Sequence, residues 1–509
     1  MKFLSNEEVI NYLAQNTDIK QGYMDFYKLI VKSNKKQIDS MIAEFNSRKK
    51  AHRMKNAKKN STGVIDPTKL AQYKFTDEIF LSKTKLGDAK SHGFMMLLDW
   101  SASMNWRFPG AEMTCATASL IQTIIFSEFC SKAKIPYDSL TFTTSSNYVK
   151  ADYDKLSDDI KEKFKYSFDE PASESNFSNW DYLDHLKKME MLKKPVGLHL
   201  NIDGVQVTRL LSSEMSKSEL ELSKIKISEY LLKDLYNSNS LSYICTDKNE
   251  YDNFKIIDVK NSINLKNDYK KYFSSLHLMG GTPTMQALFI IESLMSKFKA
   301  KNKIEKLSVI NLTDGDASDI SIDEIYIDQN GEKNSRSNGF SVNNPCFTNK
   351  GDNYSSKQNL SQVQLFSGQV LNIEPYQNGE IKFNAKKHTL MGAFFAKIKK
   401  EYNASIICFY LYGNNKAVKT YLANARIIDS LKKFKDGNTG RFCIPDAHGY
   451  DETIMIKASS MNFKKEKINS ENLSLKKNSS AKQISTAAAK QKNKDNSKFI
   501  AKKVMEIAA

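Results

Sequence analysis

A carboxylate and two hydroxyls follow directly on a run of apolar residues: Phe94-Met95-Met96-Leu97-Leu98 leads into Asp99-Trp100-Ser101-Ala102-Ser103. The run is short, continuous and preceded by Gly93, the pattern of a strand buried on both faces of a parallel sheet. In open α/β sheets ligands gather in the crevice beyond the carboxyl ends of the strands, so Asp99, Ser101 and Ser103 face a site and not a core. Hard oxygen donors of this kind suit a divalent cation such as Mg²⁺. A D-x-S-x-S string also arises by chance in a serine-rich chain, so its surroundings must carry the reading.

Those surroundings are a strand, a polar loop and a helix. From Gly110 to Lys134 the residues Met113, Ala116, Thr117, Leu120, Ile121, Ile124, Ile125, Phe129 and Cys130 recur at helical spacing. Two distant segments offer further oxygens. Leu278-Met279-Gly280-Gly281-Thr282-Pro283-Thr284 reads as a glycine turn into a helix, with Thr282 at the N-cap and Pro283 at the first helical position. Leu307 to Gly315 is a second apolar run, closing on Thr313, Asp314 and a glycine. Taken singly, Thr282 is a capping threonine and Asp314 a turn aspartate.

Taken in order, Asp99, Ser101, Ser103, Thr282 and Asp314 resemble the metal-ion-dependent adhesion site of von Willebrand factor A domains. The resemblance implies one Mg²⁺ (or Mn²⁺), bound directly by the serines and the threonine and largely through water by the aspartates. It also implies an open position for an Asp or Glu of a client protein, so the site binds and does not catalyse. Ser61 to Leu70, Tyr73 to Phe80, His92-Gly93, Cys115-Ala116-Thr117 and Ser139 to Thr144 resemble CobT-type subunits of cobaltochelatases, especially the versions carried by tailed bacteriophages. That likeness implies a non-ATPase subunit working with a ring-forming AAA+ ATPase (CobS-like). The pair would act either in cobalt insertion into a corrin or in a phage remodelling complex with another client, in the cytoplasm of the cell or host.

The fold expected is α/β, a doubly wound, mostly parallel, Rossmann-like sheet with large insertions, a helical N-terminal arm and a disordered C-terminal tail. Residues 1–80 form the basic arm, with Val9, Ile10, Leu13, Phe26, Ile30, Ile38, Met41 and Phe45 on helical faces and a solvated basic helix face from Arg48 to Lys59. Residues 81–460 form the α/β domain. Roughly 180 positions separate Ser103 from Thr282, more than a compact connection needs, so an insertion is placed at about 145–275. It carries a hairpin around Asp203-Gly204 and a polar helix near Met215 to Tyr236. A second insertion at about 319–387 carries the hairpin signals Gln329-Asn330-Gly331 and Gln377-Asn378-Gly379. The sheet resumes at Ile406 to Tyr412, followed by a helix from about Lys416 to Phe434 and a strand at Thr453 to Lys457. Residues 461–509 are Lys- and Ser-rich, ending in a short amphipathic helix with Phe499, Ile500, Val504 and Ile507 on one face.

Several classes are excluded. The 509 residues, 40% hydrophobic, contain no run approaching the roughly eighteen apolar residues of a membrane span, and Glu7 and Glu8 stand where a signal peptide is apolar. The six cysteines form no C-x-x-C pair and read as reduced thiols. The seven histidines show no H-E-x-x-H, and His92 and His277, which flank the metal loops in sequence, read as supporting or core residues. No P-loop is present, so no ATPase activity is expected of the chain alone. Two other classes stay open: a metal-dependent hydrolase using Asp99, Asp314, Asp316 and Asp319, and a nucleic-acid-binding protein, given a net charge of +18.

Overall fold

The computed structural model describes residues 2–3, 6–55, 58–65, 74, 80–85, 91–107, 113–144, 199–202, 205–237, 241, 244–245, 248–265, 271–272, 281–315, 320–327, 333–340, 362–364, 370–372, 389–413, 415–424, 435, 441–457 and 503. Eight strands make the central sheet: β1 (His92–Asp99), β2 (Tyr137–Thr144), β3 (His199–Ile202), β4 (Val205–Ser212), β5 (Lys306–Thr313), β6 (Ala404–Tyr412), β7 (Arg441–Pro445) and β8 (Glu452–Lys457). Their order across the sheet is β7-β8-β6-β5-β1-β2-β4-β3. The five strands from β8 to β2 run parallel, and β7 and β4 lie antiparallel at the two sides, with β3 completing a hairpin on β4.

The apolar run that announced β1 is buried on both faces because successive side chains alternate across the sheet. Phe94, Met96 and Leu98 enter one core, and Met95 and Leu97 enter the other. The first core is covered by α1 (Asn6–Gln15), α2 (Thr17–Ser33), α3 (Lys35–Lys55), α4 (Cys115–Ala133) and α5 (Lys217–Asn237), with α6 (Lys248–Leu265) against α2. The second is covered by α7 (Thr284–Lys301), α8 (Leu390–Tyr402) and α9 (Asn415–Asn424). Helices on both faces of a mostly parallel sheet make the architecture doubly wound and α/β.

Helix α4 starts where Thr114 accepts the Thr117 N–H at 3.2 Å, and it ends at Lys134 in the left-handed region (φ 55°). It is buried almost all round because α3 and α5 pack on the side away from the sheet. The N-terminal segment therefore shares the main core: Val9, Leu13, Tyr23, Phe26, Ile30, Ile38, Met41 and Phe45 are all buried in it, whereas Ile10 is exposed. Each fully buried aromatic or aliphatic side chain is worth about 2 kcal/mol.

Three expectations need correction. The helical arm stops at Lys55, and residues 58–65 pair antiparallel with 80–85 as strands, so the basic stretch Arg48 to Lys59 is split between a helix and a strand. The hairpin expected inside the 145–275 segment exists, but it extends the central sheet. There β4 lies against β2, and Arg209 pairs with the fully buried Asp138 at 2.5 Å. The helix expected to be polar, α5, buries Leu222, Ile225, Leu231, Leu232 and Leu235. Helix α9 is described over Asn415–Asn424, within the helix expected from about Lys416 to Phe434, and residues 425–434 lie outside the described residues. Helices α6 and α8 and strand β7 were not foreseen.

The strands 320–327 and 333–340 pair antiparallel, as the Asn330-Gly331 signal implied, whereas Gln377-Asn378-Gly379 lies outside the described residues. So do Phe499, Ile500, Val504 and Ile507. Lys503 is described, and its ammonium pairs with Glu452 at 3.2 Å. Among the described residues no helix is long and apolar enough to cross a membrane.

Between β7 and β8 the chain turns through His448 (φ 51°) and Gly449 (φ 87°), where a Cβ on Gly449 would come within 2.5 Å of the Gly392 backbone of α8. His448 is buried edge-on against the Tyr421 ring of α9, and burial lowers its pKa to about 4. The folded chain holds it neutral, and the unfolded chain takes up a proton below about pH 6.5. Its contribution is therefore present above pH 6.5 and is lost as the pH falls towards 4, about 3 kcal/mol over the whole span. Denaturant unfolding from pH 7 to pH 4 is expected to show that loss in the wild type and not in His448→Asn, which keeps the left-handed backbone. Equal slopes in the two proteins would contradict it.

Candidate metal centre

Strands β1 and β5 are parallel neighbours in register from His92↔Lys306 to Leu98↔Leu312, so Asp99 and Thr313-Asp314 emerge side by side at their carboxyl ends. From β1 the chain crosses by α4 to β2 on one side, and β5 leads to β6, on its other side, with α8 on the opposite face. The crevice between β1 and β5 is thus the topological switch point of the sheet.

Asp99 is fully buried. Its Oδ1 accepts the Ser101 backbone N–H at 2.9 Å and its Oδ2 accepts the Thr313 hydroxyl at 2.6 Å. The Thr282 hydroxyl also bonds to it. Ser101 Oγ lies 2.8 Å from Ser103 Oγ, and Ser103 Oγ donates to Asp314 Oδ1 at 2.7 Å. All five oxygen-bearing side chains singled out in the sequence, Asp99, Ser101, Ser103, Thr282 and Asp314, therefore meet in one hydrogen-bonded cluster. Gly315 closes it: a Cβ there would sit 3.4 Å from Thr282 Oγ1 and 4.0 Å from Ser103 Oγ.

Local structure explains the placement. After Ser101 the chain makes one 3₁₀ turn, Ala102–Asn105, which returns the Ser103 hydroxyl towards β5. Thr282 is not the N-cap expected of it. Helix α7 starts at Thr284 with Pro283 in the capping position, and the Thr282 hydroxyl is directed to Asp99. Thr144 at the end of β2 accepts the Gly281 N–H at 2.8 Å and ties the turn to the sheet.

The electrostatics are those of two acids crowded together. Burial raises the Asp99 pKa, against hydrogen bonds from Thr313, Ser101 and Thr282 that lower it. Burial first, and then the charge of Asp99, raise Asp314 to about 7, against the bond from Ser103. Burial and the two carboxylates also push the Cys115 thiol upward. A cation placed among these oxygens would relieve what burial and like charge impose. The donors are two carboxylates and three hydroxyls, all hard oxygens, which fits Mg²⁺ or Mn²⁺. Among the described residues no group of three His, Cys, Asp or Glu side chains gathers as a metal site.

Comparison with protein-family models, curated proteins and solved structures finds no match.

Two contributors were not foreseen. Thr313 braces Asp99 and also accepts the Gly315 N–H at 3.1 Å, and Thr144 anchors the Thr282 turn. The signal for Thr313 was its place between a buried strand and Asp314-Gly315. His92 stands at the start of β1, the far end of the strand from Asp99, with its ring 6.4 Å from that of Phe45. His277, Asp316 and Asp319 lie outside the described residues.

Removing the Thr313 hydroxyl leaves a fully buried carboxylate oxygen short of its donor. Thr313→Val is therefore expected to lower unfolding stability in metal-free buffer by about 2 kcal/mol. Ser103→Ala, at an exposed position, should change it by less than about 0.5 kcal/mol. Denaturant midpoints at constant slope measure both, and a Thr313→Val value as small as that of Ser103→Ala would contradict the assigned role.

Proposed function

We propose that this chain is a metal-dependent protein-binding subunit with a von Willebrand factor A-like domain, in which Asp99, Ser101, Ser103, Thr282 and Asp314 hold one Mg²⁺ or Mn²⁺. The observation that supports the reading is the meeting of five oxygen donors from three distant segments at the switch point of the sheet. Ser101, Ser103 and Thr282 bind the ion, and Asp99 and Asp314 hold it directly or through water. When bound, the ion supplies a Lewis-acidic position that accepts a carboxylate from outside the chain. Asp99, braced by Thr313, keeps the Ser101 backbone fixed, and the exposed Ser103 leaves the site open to a partner.

The partner is a ring-forming AAA+ ATPase, or a client that the ATPase presents through an Asp or Glu, as the likeness to CobT-type subunits suggests. The chain itself turns over no ATP, peptide or nucleic acid, and it works in the cytoplasm of the cell or of a phage host. Its basic arm and tail add an electrostatic contribution that is independent of the metal and weakened by salt.

Pull-downs with the cognate ATPase separate the two contributions. EDTA, or Ser101→Ala with Ser103→Ala, is expected to weaken the complex at least tenfold even at low salt with the fold intact, whereas truncation at residue 461 should alter mainly the salt dependence. Binding that ignores EDTA and the double variant but is lost with the tail would overturn the proposal.

A further inference from the structure

Helix α5 touches the metal loop at both of its ends. Where the loop leaves β1, Trp100 stands between Asp99 and Ser101, is 2% exposed, and packs its ring 5.3 Å from that of Tyr230. Its backbone N–H is fixed by the Phe142 carbonyl of β2 at 2.8 Å, and its indole Nε1 finds no acceptor among the described residues, so apolar packing, to which Tyr230 contributes, seats the ring. Where the loop enters α4, the Asp234 carboxylate accepts the Thr114 hydroxyl at 3.1 Å and the Thr117 hydroxyl as well. Tyr230 and Asp234 are one turn apart on the same face of α5. A carboxylate at the N-terminus of α4 is also favoured by the helix dipole.

From the start of α4 a short chain of backbone bonds leads back to a proposed ligand. The Cys115 N–H donates to the Trp106 carbonyl at 3.4 Å, and the Trp106 N–H donates to the Ser103 carbonyl at 2.9 Å. The position of the α4 N-terminus thus bears on where Ser103 stands.

We infer that Tyr230 and Asp234 are positioning residues for the metal centre: α5 holds Trp100 with one and the Thr114–Thr117 start of α4 with the other, and so sets the approach of Ser101 and Ser103 to Thr282 and Asp314. This rests on the metal-binding reading above. It gives the segment following β2 a function at the site, as a brace that touches no ligand directly.

The test is Mn²⁺ binding to the full chain, followed by electron paramagnetic resonance, with amide hydrogen exchange of residues 101–107 in the metal-free protein as a readout independent of the ion. Asp234→Ala and Tyr230→Ala are expected to weaken Mn²⁺ binding about tenfold, the scale of losing a partner that orients a ligand. Both should also speed exchange in the loop. Asp234→Asn keeps an acceptor oxygen and Tyr230→Phe keeps the ring, so both should stay within about threefold of the wild type. Thr117→Val removes one of the two bonds to Asp234 from the α4 side and should shift both readouts in the same direction as Asp234→Ala, by less. Wild-type affinity and wild-type exchange in Asp234→Ala and Thr117→Val would overturn the inference. If the wild type binds no Mn²⁺, the metal reading itself fails, and loop exchange alone decides whether α5 holds the segment.

Discussion

The structure turns on the proximity of two carboxylates, Asp99 and Asp314, at the ends of adjacent parallel strands. Neither position is comfortable for an anion: Asp99 is fully buried, and Asp314 feels both burial and the charge of Asp99. Hydroxyls from Thr313, Ser103 and Thr282 and the Ser101 backbone N–H make the arrangement tenable by donating to the two acids. Such hydroxyls are neutral and can turn their lone pairs to a cation. A basic side chain in their place would neutralise the acids permanently and close the site.

Everything around that pair serves to fix strand ends. The parallel register of β1 with β5 puts the two acids side by side, and the two cores on opposite faces hold that register through alternating side chains. The Gly281 turn is tied to β2 through Thr144, and the 3₁₀ turn after Ser101 folds Ser103 back over the crevice. The N-terminal helices and α5 form an outer layer over α4, the helix that follows the loop carrying Ser101 and Ser103. A domain whose site is made of loop residues depends on such support, since ligating oxygens must converge to within a few tenths of an ångström.

The convergence of the five side chains was legible in the sequence because four of them follow buried parallel strands, which read as unbroken apolar runs, and Thr282 stands on a glycine turn between them. The rest of the fold was less so. Strand β4 alternates and sits far along the chain from β2, so the pairing that places Arg209 on Asp138 was invisible. Helix α5 mixes lysines and glutamates with its leucines, and only its contacts with α2, α4 and β4 show that Leu222, Leu231 and Leu235 are core. Thr282 carries the residue type of a cap and stands beside a proline, yet the demand of the Asp99 carboxylate for donors prevails over the helix terminus. Thr313 and Asp234 act by hydrogen bonds across long sequence distances, which spacing alone does not reveal.

The central claim is that these five oxygens share one ion. A crystal of the full chain grown with Mn²⁺ and examined by anomalous diffraction tests it most directly. The account requires a single strong peak within bonding distance of the Ser101, Ser103 and Thr282 hydroxyls. A map with no peak there, or with the ion bound by Asp316 and Asp319 away from those hydroxyls, would contradict it.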